Sequence, residues 1–182
     1  MTTLGPEDVH GFWFIEHGPA DWFAGGAAFD AEIAERFGTT HAEVARGEAW
    51  EWRKTPLGRV AEIIVLDQFS RQLFRGQARA FAQDSMALAL AQEAVALGVD
   101  RQLTHPPQRQ FLYMPYMHSE SLVVHEEAVR LFTEMDNADV LKFEMAHLEV
   151  LQRFGRYPKR NEALGRTSTP EEIEYMATPG MF

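Results

Sequence analysis

Five polar residues fall where helical spacing calls for apolar ones. Phe81, Asp84, Leu88, Ala91 and Val95 form one 3-4-3-4 stripe, His118, Leu122, His125, Val129 and Phe132 a second, and Val140, Glu144, His147, Leu151 and Phe154 a third. Burying such groups costs free energy unless they are paired, so Asp84, His118, His125, Glu144 and His147 need partners. Folding the chain at Gly76 sets Arg71 level with Asp84, and Asp67 lies one turn before Arg71. An Asp67/Arg71/Asp84 cluster is therefore expected. Folding at Asp136-Asn137 sets His125 level with His147, and brings His118-Ser119-Glu120 beside Phe154-Gly155-Arg156. The segment from Arg153 to Asn161 holds four cations in nine residues, directly after the helix end.

These residue types suit anion recognition or proton transfer. Guanidinium forks match planar carboxylates and phosphates, and an imidazole held by a carboxylate is a general acid or base. The expected ligand-binding set is Asp67, Gln68, Arg71, Arg75, His118, Ser119, Arg156, Arg160 and Asn161. His118 and Glu120 are the catalytic candidates, with Glu120 or Asp67 orienting the ring. The alternative for His125 and His147 is a hydrogen-bonded core role. For the cations it is the favourable field of a helix C-terminus together with pairing to Glu171, Glu172 or Glu174.

Other motifs carry less. Glu7/His10 and Glu144/His147 have the Glu-x-x-His spacing of di-metal helical bundles, yet chance alone supplies about 0.7 such pairs at this composition. His118 and His125, seven residues apart, would stand about 10.5 Å apart along one helix and could not share an ion. Ser119 and His118, as neighbours, point about 100° apart, so a serine nucleophile would need its base from another helix. A Gly-rich phosphate loop, a His-Glu-x-x-His pair and a Gly-x-Ser-x-Gly elbow are all missing. No metal and no cofactor are expected.

The elements that must position these residues are helices, since no window shows strand alternation bounded by hairpin turns. The pattern predicts helices from Pro6 to about His17, from about Phe29 to Trp52 with a break at Gly38-Thr39-Thr40, and from Thr55-Pro56 to Gly76. The run from Val60 to Leu66 is apolar almost all round and marks a buried central helix. Further helices are expected from about Ala78 to Gly98, from Pro115 to Met135, and from there to Phe154, with Gly155 at the left-handed stop. Val99 to Gln110 reads as the longest loop, and Thr169-Pro170-Glu171-Glu172 as a capping box. One domain over residues 1–182 is expected, all-α, built of antiparallel hairpins.

Composition narrows the function classes. With 46% hydrophobic residues and 13 Phe, the chain has ample core material. Zero cysteines exclude disulfides, thiolate metal sites and cysteine nucleophiles. A net charge of −10 opposes binding to nucleic acid or anionic membrane. The acidic start and short aliphatic runs suggest a cytoplasmic protein. Oligomeric state is not readable from these features.

Leu66-Asp67-Gln68-Phe69-Ser70-Arg71, Phe74-Arg75-Gly76, Tyr113-Met114-Pro115 with His118-Ser119-Glu120, Phe154-Gly155-Arg156-Tyr157-Pro158-Lys159-Arg160-Asn161, and Leu164-Gly165-Arg166-Thr167-Ser168-Thr169 occur in order. Together they resemble a family catalogued as domain of unknown function nine-two-four, over nearly the whole chain. The resemblance implies an all-helical, tetratricopeptide-like superhelix and no particular activity. Ser70 stands where that family usually has Pro, which implies an unbroken third helix through Arg71. Lys159 stands where it usually has His.

Three readings follow. The first is a small-molecule or peptide binding module whose Arg/His pocket takes an anionic group. The second is a hydrolase or lyase using His118 as general acid/base. The third is a structural or protein-interaction repeat in which these groups only lock helix ends together.

Overall fold

The computed structural model describes residues 3–178, which are all-helical with no strand among them. Helix α1 (Pro6–Gly11) opens with Pro in its first turn, where a missing N–H costs nothing, and runs on through a wider π turn, Phe12–Glu16. Helix α2 (Pro19–Ala24) is a short element that the sequence pattern does not signal. Helix α3 (Ala27–Ala45) continues through Gly38-Thr39-Thr40 without the expected break. Thr40 is buried there, and its Oγ1 accepts the Leu4 N–H at 3.0 Å, so it anchors the N-terminal segment instead of re-capping the helix.

The central rod is helix α4 (Pro56–Ile64), capped by the Thr55 hydroxyl, which accepts from the Gly58 N–H at 3.0 Å. A π turn (Val65–Phe69) joins it without interruption to α5 (Ser70–Leu73). Val60, Ala61, Ile63, Ile64, Val65, Leu66 and Phe69 are all essentially inaccessible, as the all-round apolar run predicts. The rod packs on α1, α3 and the later helix Pro106–Met117, and Phe12, Trp13, Phe37 and Phe111 close around it. Trp13 meets Phe111 edge-on at 5.3 Å and Phe37 meets Phe69 at 5.1 Å, geometries that aromatic quadrupoles favour.

The second half differs from expectation at one place that matters. Helix α6 (Asp84–Ala96) follows a 3-10 turn at Ala78–Phe81. The last part of the segment read as a loop, from Pro106 on, opens helix α7 (Pro106–Met117), and a separate helix α8 (Leu122–Glu134) follows. Pro106 and Pro107 are the helix-opening prolines, whereas Pro115 lies inside α7. The expected single helix from Pro115 to Met135 is thus broken at His118, and His118 and His125 lie on different helices. Helix α9 (Ala138–Phe154) is capped by Asn137 and stopped by Gly155 at φ +70°, the left-handed position where a side chain would be strained. Helix α10 (Pro170–Ala177) starts in the expected capping box, with Thr169 and Glu172 bonding each other's backbone N–H at 2.8 and 3.2 Å. Consecutive helices α6 to α9 pack against one another in order. A small second core of Val150, Phe154, Tyr157, Tyr175 and Met176 sits where α10 meets the end of α9. No helix among the described residues is long and apolar enough to cross a membrane.

Candidate functional site

The π turn sets the first residue of the site. A π turn widens the helix locally and recurs at functional positions, and here it places Asp67 and Gln68 in the interior beside the end of α7. Asp67 has 1% of its side chain exposed. Its Oδ1 accepts from His118 Nδ1 at 2.7 Å and lies 3.0 Å from Arg71 Nη1, while Gln68 donates to Oδ2. Burial acts to raise the Asp67 pKa, but the Arg71 charge and the His118 contact outweigh it and hold the carboxyl below the usual range. Asp67 is an anion at neutral pH.

Arg71 is clamped in turn. Its Nη1 and Nη2 form a fork onto Asp84 at 2.9 and 3.0 Å, and Nη1 also donates to the Asp67 carbonyl at 2.7 Å. The expected Asp67/Arg71/Asp84 cluster is present, joined by Arg160, which donates to Asp84 at 3.2 Å and to the His118 carbonyl at 2.8 Å. Arg160 also lies between the rings of Phe81 and Tyr157, 4.8 and 4.7 Å from their centroids. Two carboxylates and two guanidiniums balance in charge.

His118 caps the C-terminus of α7 and is the least satisfied member of this hub. An ionised carboxylate only accepts, so Nδ1 carries the proton shared with Asp67. Burial first, then the Arg71 charge, lowers the His118 pKa against the opposing pull of Asp67. The ring is therefore neutral near pH 7, and its lone pair lies on Nε2. That nitrogen has no hydrogen-bond partner among the described residues, and it is absent from the buried atoms that lack one, so it is open to solvent. The centroid of the His147 ring lies 6.4 Å from that of His118, and burial pushes the His147 pKa down to about 3.

Behind the hub sits a fully buried pair. His125 Nδ1 meets Glu144 Oε1 at 2.6 Å, and its Nε2 donates toward the Ser119 carbonyl and the Tyr157 hydroxyl, both at 2.9 Å. Tyr157 passes its own proton to the Met117 carbonyl at 2.7 Å. Ser119 thus contributes its backbone here. Oε1 of Glu144 is committed to this imidazole, and Oε2 has no partner.

Several sequence candidates lie elsewhere. Glu120 does not orient His118: it accepts the Tyr157 N–H at 2.7 Å and a two-pronged contact from Arg166 at 2.7 and 3.0 Å. Arg156 forks onto Glu172 at 2.6 and 2.8 Å and donates to the Thr167 carbonyl. Asn161 is buried and tied to Ser168, Glu172 and Arg166. Arg75 is 59% exposed and bound to Asp30 and Gln72. Hence Asp67, Gln68, Arg71, His118 and Arg160 come together, Ser119 borders them through its carbonyl, and Glu120, Arg156 and Asn161 form a separate C-terminal clamp. Phe81, Tyr157 and the Glu144 partnership were not signalled as site members; the last two could have been found by asking which acceptor a buried His125 would require.

One other group gathers ligand-type atoms. Glu16, His17 and Glu32 lie with ligand atoms within 4.8 Å of one another, yet Arg36 already donates to Glu16 at 2.6 Å and to Glu32 at 3.0 Å.

An all-helical protein with a buried, charge-balanced hub around one open imidazole is the class that fold and site define. The chain matches the family model described as bacterial protein of unknown function (DUF924) over residues 9–180, and it belongs to that family. It is similar to a solved structure, a protein of unknown function, ATU0120, from Agrobacterium tumefaciens, with 35% identity and a TM-score of 0.89 over 94% of this chain and 96% of that one. No curated protein matches the chain.

Proposed function

We propose that the protein is an enzyme, a hydrolase or lyase acting on a small molecule, in which Asp67 orients His118 as the general base. The observation that carries this is the dyad itself: Asp67 holds Nδ1 at 2.7 Å and leaves Nε2 bare and solvent-facing. A carboxylate-fixed tautomer with a free Nε2 is the arrangement proton abstraction needs. Arg71 keeps Asp67 ionised, Gln68 fixes its second oxygen, and Arg160 holds the His118 carbonyl. Simple anion capture fits less well, because Asp84 already fills the Arg71 fork and engages Arg160. The successive packing of α6 to α9 supports a tetratricopeptide-like reading of the fold, and the net charge of −10 with zero cysteines supports a cytoplasmic protein that avoids nucleic acid and membranes.

The test begins with the imidazole. Nitrogen NMR at pH 7 is expected to show His118 protonated at Nδ1 and bare at Nε2. A panel of small esters, phosphate esters, amides and hydroxy acids then supplies a turnover assay, in which His118→Asn should lose about 10²–10⁴-fold and Asp67→Asn a comparable amount. A proton on Nε2 with Nδ1 bare would overturn the proposal, as would turnover that His118→Asn leaves intact.

A further inference from the structure

The face of α3 that meets α5 and the start of α6 holds a second cavity, of about 240 Å³, that shares no residue with the His118 hub. Small side chains, Ala42, Ala45 and Ala82, leave the room, and His41, Arg79 and Gln83 supply the polar lining. Two of these three are unusual within the chain.

His41 is 5% exposed, and its Nε2 lies 2.8 Å from Ser70 Oγ. The Ser70 hydroxyl gives its only proton to the Leu66 carbonyl at 2.6 Å. Nε2 must therefore donate to Ser70, and Nδ1 of the neutral ring carries the lone pair. Nδ1 has no hydrogen-bond partner among the described residues and is absent from the enclosed atoms that lack one, so it opens into the cavity. Burial, reinforced by the Arg79 charge, pushes the His41 pKa down to about 4, so this acceptor persists at neutral pH.

Arg79 is exposed and forms no ion pair or hydrogen bond among the described residues, whereas most other arginines here are engaged by carboxylates. Its guanidinium lies 3.8 Å from the centroid of the Phe74 ring. Stacking uses the face of the group and leaves its in-plane N–H donors free. Gln83 stands at the N-cap of α6, whose amide end adds positive potential.

We propose that this cavity binds a phosphate group that carries a proton, with Arg79 receiving the charged oxygens and His41 Nδ1 accepting the P–OH. A buried acceptor beside a cation repels a fully deprotonated oxyanion and pairs with one that retains a hydrogen, since an unmatched acceptor loses its hydrogen bond to water. Sulfate, of equal size and without a proton at neutral pH, lacks the required donor. The cavity has space for a small organic portion beyond the phosphate.

The experiment titrates the intact chain with inorganic phosphate, glycerol phosphate and sulfate, each at matched ionic strength and pH 6.5, following the His41 imidazole signals by NMR and the melting temperature. Phosphate or its ester is expected to shift His41 and raise the melting temperature, with sulfate at least about tenfold weaker. Tighter binding of the ester than of free phosphate assigns the source to a metabolite; the reverse assigns it to the inorganic ion. Arg79→Met should abolish the response while leaving the melting temperature without ligand nearly unchanged, because Arg79 makes no hydrogen bond or ion pair among the described residues and a Met side chain can still pack on Phe74. His118→Asn should leave the phosphate response intact, which separates this site from the proposed dyad. Equal binding of sulfate, an unshifted His41 under saturating phosphate, or a full response in Arg79→Met would each overturn the proposal.

Discussion

Two arginine–carboxylate networks draw cations from the same stretch of sequence, Arg156 to Arg166, and they differ in what they leave open. In the C-terminal clamp, Arg156 and Arg166 face Glu172 and Glu120, and Asn161 and the Thr167 and Tyr157 carbonyls take further donors. In the hub, Arg71 and Arg160 face Asp67 and Asp84 in the same chemical currency, yet one imidazole nitrogen stays without a partner. Residue type and cation density do not tell them apart; the open Nε2 of His118 does. A closed network holds α10 to the end of α9, and an open one can meet a substrate.

The sharpest way to break this comparison is to remove the shared carboxylate of the hub. Asp84→Ala strips two guanidiniums of a partner, Arg71 and Arg160, whose side chains are 19% and 13% exposed. The expected loss is about 3 kcal/mol, because uncompensated charge in a poorly solvated place costs more than the pair contributes. Chemical denaturation checks it. A loss under about 0.5 kcal/mol would mean that water replaces Asp84 freely.

Acid should separate the two regions by pH. His147, with its pKa pushed to about 3, and His118, also lowered, are held neutral in the hub, as is His41 at about 4 in the second cavity. The unfolded chain takes up protons on these rings near pH 6.5 while the folded one does not, so stability falls as pH drops through that value toward pH 4. Each buried ring adds to this loss as the pH falls further below its unfolded value. The clamp shares that sign but not that window: Arg156 holds Glu172 at about 2, so its contribution is present above the ordinary carboxylate range and fades only as pH falls through it. Melts between pH 7 and pH 5 therefore report the buried imidazoles, those of the hub and the His41 cavity together with the lowered His10, and not the clamp. His147→Gln should flatten that profile, and an unchanged slope would show that the ring titrates freely.

Within the clamp, Arg166→Met should cost about 1 kcal/mol, since Glu120 retains the Tyr157 N–H and keeps 25% of its side chain in solvent. The proposed turnover should be untouched. Lost activity at unchanged stability would merge the clamp with the site.

Much of the architecture was legible because helical signals are local. The Thr169 capping box, the Gly155 stop and the buried run from Val60 to Leu66 each depend on a few adjacent residues, and each is where the pattern puts it. The helix break at His118 was not legible, because two competing prolines, Pro106 and Pro115, both suit a helix start, and only packing decides that Pro115 sits inside α7. The same error placed His118 on a stripe with His125. Pairing at Asp84 could be read from the register of one hairpin, and that of Arg156 with Glu172 from charge alone, whereas the partners of Glu120 and Asn161 come from the chain after α9, whose path no periodicity describes.

The smallest effect expected is at Arg75, which sits four residues after Arg71 and reads in sequence as its companion. Its fork reaches Asp30 Oδ2 and Oδ1, each at 2.8 Å, in contacts as short as those of Arg71, so distance alone would rank the two alike. Exposure separates them: Arg75 keeps 59% of its side chain in solvent, where water competes for every donor and ordering a long side chain offsets the Coulomb gain. Arg75→Ala should change stability by less than about 0.5 kcal/mol, and the change should shrink further in 0.5 M salt, where charges are screened within about 5 Å. Activity should be indifferent to it, since nothing in its contacts reaches Asp67 or His118. If Arg75→Ala costs as much as Asp84→Ala, partner number rather than burial governs these networks, and the distinction between hub and clamp loses its physical basis.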